Sequence, residues 1–268
     1  MLRILFRAAL QPFSGRDPMA AVAVFGTLAG IVVALSFRLF ADQAAIRTLR
    51  RKLWAHVLEL RLFGDEPRLV FGTLMRTSRT NVLLIAHALP PLMIAAPVVA
   101  LLAVHLNEFL TRTPLQTGGN AVLTVRLRRG SDAMAPVELE TPGWVVVDAP
   151  PVHVPEAREI SWRLRATGPD VGVCRVTARG ETATKELEAR PGPRYAGRVR
   201  SAAWADALLH PAESRLPEGP IERIWISPVP APLAFAGLTM DWGEWFAAIA
   251  SITAWLLPRL LHLLFQRL

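Results

Sequence analysis

Four polar side chains fall inside or directly against otherwise apolar runs: Arg38, His87, Arg259 and His262, with Ser36 two residues before Arg38. An ionisable group at membrane depth is costly and so is often functional. The chemistry these residues offer is non-covalent. An arginine supplies charge and hydration. A histidine supplies a hydrogen-bonding or proton-holding group. Together they would line a polar groove in one leaflet. The alternative for Arg38 is an anchor whose guanidinium reaches the headgroups. For His87 it is a hydrogen bond to a neighbouring helix. No serine, cysteine or carboxylate nucleophile has a convincing partner, so no enzyme is expected. The six histidines are scattered and Cys174 is the one cysteine. That excludes an intramolecular disulfide, and no zinc-type spacing occurs. Gly118-Gly119 has no phosphate-loop context. No metal or cofactor is expected.

The elements that must position these residues follow from hydropathy. The chain has 268 residues, 52% of them hydrophobic, which is high for a soluble protein. The apolar residues cluster into three long runs. Met19 to Phe37 is nearly unbroken, and nineteen residues at a rise of 1.5 Å span roughly 28 Å, about one hydrocarbon core. Residues 18–40 are therefore expected to form a first transmembrane helix. Residues 81–106 should form a second, kinked at Pro90-Pro91. Residues 241–266 should form a third, with Trp242 and Trp245 at its aromatic belt. Residues 1–17 read as an interfacial amphipathic helix, since Arg3 and Arg7 alternate with apolar residues.

Between the first two spans lies a basic run, 41–80. It holds Arg47, Arg50, Arg51, Lys52 and Arg61, which form its basic surface, and it extends through Arg68, Arg76 and Arg79. Ile46, Leu49, Leu53, Val57 and Leu60 repeat at helical steps. Gly64-Asp65-Glu66-Pro67 stops one helix and starts another near Arg68. A cytosolic helical hairpin is expected. The positive-inside bias then places the N-terminus outside and the C-terminus in the cytosol. About half of the net charge of +8 sits in 41–80, beside the membrane. It points to anionic headgroups rather than DNA, with the ribosome the one nucleic acid kept in view.

Residues 107–235 change character. Alternating runs such as Ile160-Ser161-Trp162-Arg163-Leu164-Arg165 are punctuated by Gly, Pro and Asp about every ten residues. This predicts an extracytoplasmic β-sandwich of immunoglobulin-like architecture, without the cysteine pair of antibody domains. Ala202 to Leu209 reads as a short helix. Pro228 to Pro232 reads as a stiff connector.

The order of a span ending in Ser36-Phe37-Arg38-Leu39-Phe40-Ala41-Asp42-Gln43, a basic hairpin and a proline-marked span resembles the YidC/Oxa membrane-insertase superfamily. Asp65-Glu66-Pro67 and Met75-Arg76 occupy the place of that family's hairpin turn and second helix. Leu89-Pro90-Pro91-Leu92-Met93 through Leu101 is similar to its leucine–proline stretch, and Met1 to Phe13 to its outer amphipathic helix. The chain differs in having three spans rather than five, and a β domain before the last. The resemblance implies an insertase or membrane chaperone of the bacterial inner membrane. Its groove would be lined by Arg38, Ser36, His87, Arg259 and His262, and nascent membrane segments or the ribosome would meet the hairpin. The competing expectation is a membrane-anchored binding or assembly module that engages envelope proteins through the sandwich.

Overall fold

The computed structural model describes residues 2–63, 66–110, 115, 117–130, 136–190, 192–195, 197–227 and 232–265. Six α-helices are among the described elements: α1 (Leu2–Leu10), α2 (Pro18–Phe40), α3 (Gln43–Leu62), α4 (Pro67–Leu110), α5 (Trp204–Leu209) and α6 (Trp242–Phe265). Two of them, α2 and the Arg68–Leu110 stretch of α4, are long and apolar enough to cross a membrane. The chain divides into two compact units. One combines residues 1–24 with 103–245, the other residues 25–102 with 246–268.

The second unit is helical. Asp42 caps α3 by accepting from the amides of Ala44 and Ala45 at 3.0 and 2.9 Å, which satisfies donors that helix geometry leaves unpaired. Pro67 opens α4, where its missing N–H costs nothing. The turn residues Gly64 and Asp65 lie outside the described set. The second arm of the hairpin and the second apolar run are one helix of 44 residues, which continues through Pro90, Pro91 and Pro97. The expected boundary near residue 80 therefore carries no break. Thr80 donates its hydroxyl to the Arg76 carbonyl and Asn81 continues the helix. On α2, Gly26 and Gly30 face α6. A methyl built on Gly30 would come 2.5 Å from the Ala250 carbonyl oxygen and 2.6 Å from Thr253 Cβ. The small-residue pair thus lets two helices approach closely.

The first unit holds the β region, two antiparallel sheets around one core. The larger sheet runs β3 (Val145–Val147), β5 (Glu159–Ala166), β1 (Asn120–Leu127), β9 (Ile221–Ile226) and β8 (Val199–Ser201), with β4 (Val152–Val154) also on β5. The smaller sheet runs β2 (Val137–Glu140), β6 (Val171–Ala178) and β7 (Glu181–Glu188). Alternation builds the core. Ile160, Trp162, Leu164 and Ala166 of β5 point inward, as do Cys174, Val176 and Ala178 of β6. The β6–β7 turn is Arg179-Gly180, both at positive φ, the geometry a tight two-residue hairpin needs. A separate hairpin, β10 (Leu233–Phe235) and β11 (Leu238–Met240), precedes α6. Of the expected connector, Pro228 to Ala231 lie outside the described residues. The expected short helix is α5.

Candidate functional site

The densest group of buried polar side chains lies at the last turns of α4. His105 and Glu108 are three residues apart and share a helix face. Glu108 is 0% exposed and is the one carboxylate in α4. Its Oε1 is hydrogen-bonded to His210 Nδ1 at 2.7 Å and lies 3.4 Å from Arg198 Nη2. Its Oε2 has no hydrogen-bond partner among the described residues. His105 is sandwiched differently. The Phe6 ring stacks on it at 3.8 Å between centroids, and Nδ1 shares a 2.6 Å hydrogen bond with the Tyr195 hydroxyl. Burial, with the nearby Glu108 carboxylate, pushes the Tyr195 phenol above its ordinary range. The phenol is therefore a neutral donor or acceptor, not a base. The group ties α1, the end of α4, Tyr195 and Arg198 ahead of β8, and the residue after α5 into one junction.

A second buried polar group sits in the β core. Ala183, Lys185 and Leu187 point inward from β7, so alternation itself drives the lysine inside. Lys185 pairs with Glu213 and donates to the Gly197 carbonyl. Burial raises the Glu213 carboxyl although Lys185 pulls it down. Cys174, opposite Lys185 in the ladder, is buried, and its thiol is pushed up to about 11. Such a thiol is a poor nucleophile. Among the described residues no group of three or more His, Cys, Asp or Glu side chains is arranged to hold a metal.

The hairpin forms a third feature. Glu59 of α3 receives the Thr73 hydroxyl at 3.2 Å, and Arg76 of α4 lies 3.6 Å from it. These contacts pin the two arms. Beside them Leu60, Phe63, Leu69 and Val70 line a cavity of about 230 Å³. The outward surface is apolar to an unusual degree. Trp54, Leu58 and Leu62 form an exposed stripe on α3 at four-residue steps. On α4, Phe71, Met75, Val82, Ile85, Leu89 and Met93 are exposed at helical steps, interrupted by Ser78. This stripe runs without a break in the helix from the arm bearing Arg68, Arg76 and Arg79 into the apolar run that is long enough to cross a membrane. Only 11% of the span's most apolar stretch is buried, against 44% for α2.

The five expected groove residues are not joined to one another by any hydrogen bond or ion pair among the described residues. Ser36 is buried. Arg38 is exposed at the end of α2. His87 donates to the carbonyl of Leu83 in its own helix at 2.8 Å. Arg259 lies over the Trp255 ring at 3.5 Å, four residues back along α6. His262 falls on α6, with its side chain outside the described set. The basic-surface residues Arg47, Arg50, Arg51, Lys52 and Arg61 are all exposed.

Sequence reasoning passed over the junction at the end of α4. Glu108 carried a signal, as a lone carboxylate closing an apolar run. Its partners Arg198 and His210 lie 90 and 102 positions away, and nothing local announces them. Compared with models of protein families, with characterised proteins and with solved structures, the chain matches none.

Proposed function

We propose that this chain is a membrane chaperone or insertase of the YidC/Oxa kind, in which α4 offers an apolar track to a client transmembrane segment. The observation that carries the reading is the stripe from Phe71 to Met93. Lipid alone accounts for its span portion. It does not account for the three turns that continue it onto an arginine-bearing arm, where exposed Phe71 and Met75 have no core to serve. A client helix that slides from the hairpin into the bilayer would be covered along this path, avoiding the cost of exposing its apolar face. In this reading α6 is the third span, and the β region is an immunoglobulin-like domain outside a bacterial inner membrane. The hairpin and the C-terminus face the cytosol. Arg38 and His87 would hydrate the polar flank of the client rather than form a closed pocket.

The test is a photo-crosslinking amino acid at Met75 and at Met93, each exposed, during synthesis of a single-span client. Adducts at 75 appearing before adducts at 93 support a track. Adducts to lipid alone at both positions, with client insertion unchanged when this chain is depleted, sink it. The buried ties at Glu108 favour a second reading, in which the helices hold the sandwich for envelope partners. In that case substitutions on the sandwich surface would abolish function while Met75→Asp would not.

A further inference from the structure

The last turns of α4 carry more than the polar junction. Two short helices are fixed to them by buried contacts: α1 through the Phe6 ring stacked on His105, and α5 through His210, which follows it and bonds Glu108. Both helices turn apolar side chains away from the protein. On α1, Phe6 and Leu10 are buried, while Ile4 and Leu5 are exposed on the opposite side. On α5, Trp204 and Leu208 are four residues apart and share one face. They are 68% and 64% exposed. Asp206, on another side of α5, lies 3.8 Å from Arg223 of β9 and orients that helix on the sheet.

We infer that α5 is an interfacial anchor that, with α1, seats the β region on the phospholipid of the leaflet in which α4 ends. Position argues for this occupant. Glu108 lies two residues from the end of α4, about 3 Å along the axis. A bilayer of about 30 Å hydrocarbon thickness carries polar regions that bring it to about 40–45 Å, so each interface is several ångströms deep. From residue 81 to Glu108 the helix rises about 40 Å, close to the full thickness of the bilayer with its polar regions, so α5, tied to Glu108 through His210, starts at the level of the far polar layer. Chemistry agrees. Tryptophan is favoured at this depth, and Arg3 is an exposed cation on α1 whose long side chain suits a phosphate layer, while Arg7 lies 4.0 Å from Glu186 of β7. The placement rests on the reading of α4 as a membrane span, so the experiment includes a site that reports on the span alone.

Nitroxide labels are placed singly by Trp204→Cys, Leu208→Cys and Ile94→Cys in the full chain carrying Cys174→Ser, reconstituted in phosphatidylcholine–phosphatidylglycerol vesicles. Collision with oxygen is compared with collision with a nickel chelate, since oxygen concentrates in lipid and the chelate in water. The expected result is oxygen dominant at all three sites, most strongly at 94. Oxygen dominance at 94 with nickel dominance at 204 and 208 overturns the anchor and leaves the span intact. Protection of 204 and 208 from both agents also overturns it, because a protein would then cover α5. Nickel dominance at 94 removes the span and the anchor together. Trp204 and Leu208 are exposed, so their replacement is not expected to disturb folding.

Discussion

At the scale of single residues the decisive case is Lys185. It occupies an inward position on β7 and is 0% exposed. A buried charge is tolerated only with a partner, and the partner here is Glu213. Lys185→Met leaves the Glu213 carboxyl buried and removes the pull that holds its pKa down. The folded variant should therefore bind that proton more tightly than the native chain does. The sign follows from linkage. A raised folded pKa contributes stability that is present below the ordinary carboxylate value and lost as pH rises through the folded value. Lys185→Met should cost about 3–5 kcal/mol near neutral pH, and much less in acid. Adding Glu213→Leu should recover most of the loss and flatten the pH dependence. Thermal melts of the detergent-solubilised full chain test this, and a single variant that melts alike across the range would refute it. Cys174 gives a simpler check. Its thiol, pushed up to about 11 by burial, should resist maleimide in the folded chain and react once denaturant is added. Rapid labelling under native conditions would mean that the β6–β7 core opens.

At the scale of elements, close packing of α2 on α6 depends on Gly30. Any Cβ there meets the Ala250 carbonyl and Thr253, whereas one at Gly26 comes no nearer than 3.1 Å to Ile249. Gly30→Val should cost about 1–3 kcal/mol through overpacking, and Gly26→Ala distinctly less. Unfolding midpoints in detergent compare the two; equal effects would mean that the helices do not meet there. The hairpin is pinned by a relay, in which Arg76 donates to the Thr73 hydroxyl, Thr73 donates to Glu59 on the other arm, and the Arg76 guanidinium lies 3.6 Å from the same carboxylate. The periodicity of Ile46 to Leu60 announced the first arm, and Pro67 the start of the second. The merger of that arm with the apolar run was not announced, because charge density changes at residue 80 while backbone propensity does not. Helical hydrogen bonding continues wherever no donor is lost. α4 continues even through Pro90, Pro91 and Pro97, each of which lacks that donor.

At the scale of the whole molecule, the proposed topology makes an independent claim. Single cysteines at Arg51 and at Glu138, in a Cys174→Ser background, should react with an impermeant maleimide from opposite sides of sealed vesicles. Reaction of both from one side would show that α4 does not cross, whatever its hydropathy. The sequence by itself determined where apolar runs lie, which stretches alternate and where the first hairpin helix stops, because these depend on neighbours within a few residues. It therefore placed α2, the hairpin and the β region, and it marked Arg38, His87 and Arg259 as polar exceptions. Which polar groups meet was decided only by tertiary structure. His87 satisfies itself on its own helix, and Arg259 turns back onto Trp255. Glu108 instead finds Arg198 and His210 across roughly a hundred residues of intervening chain. The physical reason is that burial makes pairing obligatory without saying with whom, and the partner is chosen by the register of strands and the docking of short helices.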